Sequence, residues 1–154
     1  MTKLIETFKS EASPEAAWAL LADFGNIDFF NPNLKSSYLL EGSTEQGVGT
    51  LRQCNLLDGK NYIRERVVEW NEGQSYTIEI YDGTMPLKNI LTTLRVAPFG
   101  TGSLLTMEME YTPKYGLLGT VMNVVILKSY VEKMMRKVLS GLDAKAAMRP
   151  MLAA

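Results

Sequence analysis

Residues 50–69, TLRQCNLLDGKNYIRERVVE, predict a β-hairpin that decides how the rest of the chain is interpreted. The pair Asp58-Gly59 is a strong signal for a tight turn between two strands. A turn centred on this pair places Arg52 directly opposite Glu65. Because successive strand residues point to opposite faces, the two charges share one face with mostly apolar neighbours. The sequence therefore predicts an apolar sheet face that carries one pair of opposite charges.

Two further turns extend the hairpin into a larger sheet. One lies near Glu72-Gly73 and the other at Gly100-Thr101. The face of the charged pair collects apolar side chains, whereas the other face carries charges such as Arg66 opposite Glu79, a favourable exposed pair. A slip of one residue in any hairpin would exchange its two faces. The predicted inner-face pairs are Val67 with Ile78, Glu65 with Ile80, Glu69 with Tyr76, Leu94 with Met107, Thr92 with Met109 and Ile90 with Tyr111.

Helical segments are available to cover the apolar face, as such a face requires. Ser13-Pro14 starts the first helix, because serine caps a helix and proline fits its first position, and Gly25 ends it. Residues 26–33 predict a short helical turn, and residues 117–146 predict a helix of roughly 40 Å or more. The apolar stripe of the long helix consists of Leu127, Val131, Met134, Val138 and Leu142.

The length of 154 residues suits one domain with one core. Strands are expected at residues 3–10 and near residues 38–40, before the hairpins. We expect residues 1–147 to form this single domain and residues 148–154 to be a frayed tail.

Composition and charge exclude several classes of function. A net charge of -1 without a basic stripe disfavours nucleic-acid binding. The chain has no histidine and one cysteine, Cys54, so histidine-dependent catalysis and the usual metal sites are excluded. We therefore expect no metal, no cofactor and no catalytic residue of these types. No apolar run approaches the ~20 residues that span a bilayer, and the N-terminus lacks a signal peptide, so we expect a cytoplasmic protein.

Four segments carry a resemblance to a known superfamily. They are residues 13–32 (SPEAAWALLADFGNIDFFNP), Gly47-Val48-Gly49 followed by Arg52, residues 63–69 (IRERVVE) and residues 111–119. With them, nearly the whole chain resembles the SRPBCC superfamily. That group includes START-like lipid-transfer domains, polyketide cyclase/dehydrase-like proteins and birch-pollen-allergen-like carriers.

The resemblance implies an α+β helix-grip fold. Such a fold has a strongly curved seven-stranded antiparallel sheet wrapped around a long C-terminal helix, with two short helices between strands 1 and 2. A cavity lies between the sheet and the long helix. By the same resemblance, residues 82–89 and the turn at Asp58-Gly59 would form its rim.

The predicted ligand site combines the charged pair with walls of the inner face. Arg52 and Glu65 would orient the polar end of a ligand, or they would only bridge two strands as a structural ion pair. Most of the wall residues could equally be ordinary core, since protein interiors are close-packed. The further candidate ligand-binding residues are Ile63, Tyr76, Ile78, Thr92, Met107, Met109 and Tyr111.

Three functions fit these features. The first is a carrier, monomeric or weakly dimeric, for a small hydrophobic molecule such as a lipid, polyketide or aromatic metabolite. The second is a polyketide cyclase/dehydratase-like enzyme in which Glu65 or a tyrosine moves a proton. An arginine directly opposite favours the ionised form of a carboxylate and makes it a poor acid, which ranks the enzyme second. The third is a protein-interaction module like the Hsp90-activator-like branch of the superfamily.

Overall fold

A computed structural model describes residues 1–43, 46–114 and 120–153, with side chains of the last helix described from residue 125 to residue 148. Short helical elements follow the first strand, and a long helix closes the described chain. In chain order the elements are β1 (Thr2–Ser10), α1 (Pro14–Ala22), a 3₁₀ helix (Phe24–Phe29), β2 (Leu34–Leu39), β3 (Leu51–Leu56), β4 (Tyr62–Asn71), β5 (Ser75–Gly83), β6 (Leu87–Phe99), β7 (Gly102–Pro113) and α2 (Thr120–Ala153).

The strands form one curved, open antiparallel sheet in the order β1-β7-β6-β5-β4-β3-β2. Consecutive strands from β2 to β7 are neighbours, and β1 crosses over to pair with β7. The inner face of the sheet is buried together with side chains of α1 and α2, and these make one hydrophobic core. The predicted α+β helix-grip fold is confirmed.

Helix α1 begins as the sequence predicts. The hydroxyl of Ser13 accepts a hydrogen bond from the backbone N–H of Ala16 at 3.1 Å, and Pro14 occupies the first helical position. The helix ends at Ala22, earlier than the predicted stop at Gly25, because a 3₁₀ helix begins at Phe24. This 3₁₀ helix is the second short helix expected from the sequence, and it brings Phe24 under the sheet.

Most of the predicted strand registers are confirmed. Arg52 pairs with Glu65, Val67 with Ile78, and the β6–β7 pairs follow the predicted register from Leu91 to Phe99. At the first turn the predicted two-residue loop is longer, since the N–H of Leu56 donates to the carbonyl of Asn61 at 2.9 Å. The Asp58 carboxylate accepts two backbone N–H groups inside that loop, which keeps the strands in the same register.

Two predicted pairs are wrong because β-bulges intervene. Glu69 pairs with Thr77 rather than with Tyr76, since the register shifts by one residue after Val67. Tyr76 consequently pairs with Trp70.

The second bulge separates Ile90 from Tyr111, since the β6–β7 register shifts between Lys88 and Leu91. Asn89 lies in this bulge with a φ of 53°, a left-handed conformation that few residues other than glycine adopt.

Helix α2 packs one side on strands β1 and β7, on α1 and on the segment that follows the 3₁₀ helix. The predicted stripe residues Val131, Val138 and Leu142 are fully buried, whereas Leu127 and Met134 are partly buried. The helix continues to Ala153, beyond the predicted end at Ala146, and its predicted start at Leu117 lies outside the described residues. In the part of the chain that the structure describes, no helix is both long and apolar enough to cross a bilayer.

Candidate functional site

The charged pair Arg52–Glu65 is buried on the inner face of β3 and β4. Arg52 is 1% exposed and Glu65 is 5% exposed. The Nε of Arg52 donates a hydrogen bond to the Glu65 carboxylate, and Nη1 donates to the carbonyl of Phe24 at 3.0 Å. The guanidinium also lies over the Phe24 ring, with Cζ 3.7 Å from the ring centroid. Each charge is thus compensated, as a buried charge must be.

Burial and the charges of this pair shift the pKa values of Arg52 and Cys54. Burial alone would lower the pKa of Arg52, but the Glu65 carboxylate raises it above its usual value, so the guanidinium stays charged. The Cys54 thiol donates to Glu65 over 3.6 Å, and burial, followed by the Glu65 charge, raises the pKa of this thiol. Because the thiolate is the reactive form, Cys54 is an inert part of the core.

An inner cavity of about 60 Å³ lies between this pair and helix α2. Its walls are mostly aliphatic and methionine side chains from the sheet, with Met134 and Val138 from α2. The polar residues that line it are Asn31, Asn33, Arg52, Glu65 and Thr92. Since one water needs roughly 10–15 Å³ of such volume, the cavity has room for a few waters or a small part of a ligand.

Thr92 is one of the polar residues that line this cavity. The residue is 3% exposed, and its hydroxyl has no hydrogen-bond partner among the described residues. A buried hydroxyl without a partner typically costs about 1–3 kcal/mol. A ligand atom that accepts or donates a hydrogen bond here would remove that cost.

A second, outer cavity of about 340 Å³ adjoins the inner one where β5 and β6 separate. The β5–β6 ladder ends at the pair Ile80–Ile90. The predicted rim at residues 82–89 lines this outer cavity, whereas Asp58-Gly59 lines neither cavity. The residues that line both cavities are Ile63, Ile80, Met85, Leu87 and Ile90.

The structure brings most of the predicted site residues to the inner cavity. Tyr76 and Tyr111 are buried but line neither cavity. Tyr76 instead stacks on Trp70, with ring centroids 5.6 Å apart, and meets the Phe24 ring edge-on. The predicted residues that line the inner cavity are Arg52, Glu65, Ile63, Ile78, Thr92, Met107 and Met109. Their contact with a ligand stays a prediction.

Sequence reasoning missed other lining residues. Asn31 and Asn33 come from the segment after the 3₁₀ helix, where Asn33 Nδ2 donates to the carbonyl of Met134 at 3.1 Å. The proline between the two asparagines marks a break in helical structure, but nothing in the sequence indicates that the break faces the cavity. Met85 and Leu87 lie in the predicted rim segment and turn inward.

Hydrogen bonds from two tryptophan side chains to one glutamate connect α1 with β4 beside the site. The indole N–H of Trp18 donates to one Glu72 oxygen at 3.0 Å and that of Trp70 to the other at 2.7 Å. These two hydrogen bonds lower the pKa of Glu72. No group of three or more His, Cys, Asp or Glu side chains within the described ranges is placed to hold a metal ion.

Comparisons with known proteins agree with this architecture. The chain is similar to the structure of protein XoxI from Bacillus cereus, at 24% identity over 94% of each chain with a TM-score of 0.75. It is similar to the Zhui aromatase/cyclase from Streptomyces sp. R1128, at 14% identity over 96% of this chain and 94% of that one with a TM-score of 0.80. It is also similar to Ara h 8.0201, at 19% identity over 95% and 97% of the two chains with a TM-score of 0.67.

These identities are low, so the likeness to solved structures shows the fold alone. A search of curated proteins gave no match. A family model described as polyketide cyclase / dehydrase and lipid transport matches residues 1–147. Together with the helix-grip fold, this match shows that the chain belongs to the polyketide cyclase/dehydrase and lipid transport family of the SRPBCC superfamily.

Proposed function

We propose that this protein binds and carries a small hydrophobic molecule that has a hydrogen-bonding group at its inner end. Thr92 lines an apolar cavity beside a buried ion pair, and its hydroxyl has no hydrogen-bond partner among the described residues; this observation carries the proposal. Apolar pockets with a few convergent polar groups are typical of ligand sites. Burial of the ligand's apolar surface would supply about 25 cal/mol per Å².

The size of the inner cavity limits how a ligand can fit. Ligand sites commonly enclose about 300–1,000 Å³, far more than the inner cavity of about 60 Å³. The ligand therefore extends into the outer cavity, or the wall side chains move to admit it. Four of those walls are methionines, whose unbranched side chains adapt readily to different shapes: Met85, Met107, Met109 and Met134.

An enzymatic role has less support from the site. Arg52 donates directly to the Glu65 carboxylate, so this group is already engaged in a buried ion pair. Burial raises the pKa of Tyr76 and of Tyr111, which moves both hydroxyls further from the neutral range that general acid–base catalysis favours. A carrier needs no proton transfer, so the same polar groups serve it as anchors.

The test begins with native mass spectrometry of the purified protein, followed by calorimetric titration with decan-1-ol, a long apolar chain with one hydroxyl. We expect the protein to retain a small molecule or to bind decan-1-ol. Thr92→Val should weaken binding of decan-1-ol by about two- to tenfold, the value of one hydrogen bond. Its folding stability should be unchanged or higher, because the variant removes a buried hydroxyl that has no partner in the described part of the chain.

The matched control is the next residue in the same strand. Thr93 points to the other face, where its hydroxyl is 2.8 Å from that of Thr77. Thr93→Val should cost a little stability and leave binding unchanged. A protein that carries no small molecule and does not bind decan-1-ol, or equal binding by wild type and Thr92→Val, would overturn the proposal.

A further inference from the structure

The sheet is split between β5 and β6 at the mouth of the outer cavity. Beyond the pair Ile80–Ile90, the end of β5 stays paired with β4, where Ile63 faces Gly83. The start of β6 pairs with β7, where Leu87 faces Pro113. The two strands therefore part before residues 84–86 join them, and the outer cavity lies at this gap. The apolar residues that line both cavities lie between this gap and the inner cavity, so the two cavities are neighbours.

The acidic side chains at this gap have ion-pair partners, whereas the lysines have none among the residues that the structure describes. Among the acids that line the outer cavity, Asp82 lies 3.4 Å from Arg64, and Glu79 lies 3.9 Å from Arg66. The lysines that line it have no ion-pair partner in the described part of the chain: these are Lys88 and Lys114. A ligand group with one negative charge would be attracted to these two lysines. A ligand group with several negative charges would also be repelled by Asp82 and Glu79.

The strand register places the two lysines together. Lys88 pairs with Thr112 across the β6–β7 ladder, so Lys114 is its diagonal neighbour on the same face. Diagonal neighbours on adjacent strands lie about 7–8 Å apart, close enough for two long side chains to contact one anion. The N–H of Lys114 donates to the carbonyl of Pro86 at 3.1 Å, which holds its backbone beside the gap.

Asn89, the residue after Lys88, has a left-handed backbone within a β-bulge. Bulges occur often beside functional sites, and uncommon backbone conformations cluster at ligand-binding positions. The bulge lies next to Ile90, the last residue of β6 that pairs with β5.

We propose that Lys88 and Lys114 bind the carboxylate of an amphipathic ligand whose apolar chain passes through the split between β5 and β6. The inner end of that chain carries the hydrogen-bonding group that meets Thr92, so this inference rests on the proposed function. The ligand class is then an apolar chain with a carboxylate at one end and a hydroxyl or carbonyl at the other.

The experiment compares two probes that differ only in the carboxylate. ω-Hydroxydecanoate and decan-1-ol share the chain and the hydroxyl, and each is titrated calorimetrically into the wild-type protein. We expect the acid to bind more tightly than the alcohol. In the double variant K88Q/K114Q, the acid should lose about tenfold or more in affinity, because hydrogen bonds to a charged group are removed. The alcohol should change by less than about twofold.

The control variant replaces two lysines that lie away from both cavities, so it changes the net charge by the same amount. Lys133 and Lys137 are exposed on α2 and line neither cavity, so K133Q/K137Q should leave both affinities within about twofold. Unchanged binding of the acid to K88Q/K114Q, or equal losses for acid and alcohol, would overturn the anion subsite alone. If the wild type binds neither probe, the proposed function fails and the subsite fails with it.

Discussion

Replacing Arg52 by methionine should be among the most destabilising single changes in this protein. The change leaves the Glu65 carboxylate buried without its partner, which typically costs about 3–5 kcal/mol. It also removes the donor to the Phe24 carbonyl, worth about another 1 kcal/mol. We expect a loss of about 4–6 kcal/mol, which is much of the 5–15 kcal/mol that stabilises a typical domain.

The double variant Arg52→Met with Glu65→Leu should recover most of that loss. A buried ion pair replaced by apolar side chains of similar volume is often no less stable. We expect the double variant to lie within about 2 kcal/mol of the wild type, which gives a coupling energy of about 3 kcal/mol or more between the two residues. Because the double variant lacks the charged pair beside the cavity, it should also lose ligand if that pair is an anchor.

The assay is a double-mutant cycle by urea denaturation at neutral pH, followed by tryptophan fluorescence. Arg66 and Glu79 provide a matched cycle on the other face of the sheet, with side chains 45% and 46% exposed and their charged atoms 3.9 Å apart. The exposed cycle should give a coupling energy below about 1 kcal/mol. If the buried cycle gives no larger coupling than the exposed one, the reasoning about burial is wrong.

Two further predictions concern the supports of the site. In Gly141→Ala, an added Cβ would lie 2.0 Å from the Phe30 carbonyl oxygen. We expect the free energy of unfolding to fall by about 2 kcal/mol despite the better helix propensity of alanine. Ser140→Ala, at an exposed position of the same helix, should be neutral or stabilising. Thermal melts of both variants test this. For Glu72, hydrogen bonds lower the pKa in the folded state, so its contribution to stability is complete above the usual carboxyl pKa and disappears as the pH falls through the lowered value. The difference in melting temperature between wild type and Glu72→Gln should therefore shrink in acid, and a constant difference would contradict this linkage.

The strand registers could be predicted because two local signals agree. Turn residues fix where each hairpin reverses, and the alternation of side chains then assigns every residue to a face. Arg52 and Glu65 meet inside the fold for this reason alone. The helix start at Ser13 is local in the same way, since the cap and the following proline act within one turn.

The β-bulges could not be predicted, and they matter for the site. A bulge adds one residue to one strand, and no turn residue marks where it occurs. The first bulge pairs Tyr76 with Trp70, so the tyrosine joins an aromatic cluster instead of lining the cavity. The second lies at Asn89, where regular pairing of β5 and β6 has ended.

The sequence by itself determined the inner face of the hairpins and the charged pair upon it, because both follow from pairings set by a turn, and its resemblance to the SRPBCC superfamily implied the fold. Only the tertiary structure decided that the cavity is small, that Thr92 lines it with a hydroxyl that lacks a hydrogen-bond partner in the described chain, and that β5 and β6 part beside two lysines. These features depend on how closely distant segments pack, and close packing is a property of the whole assembled interior.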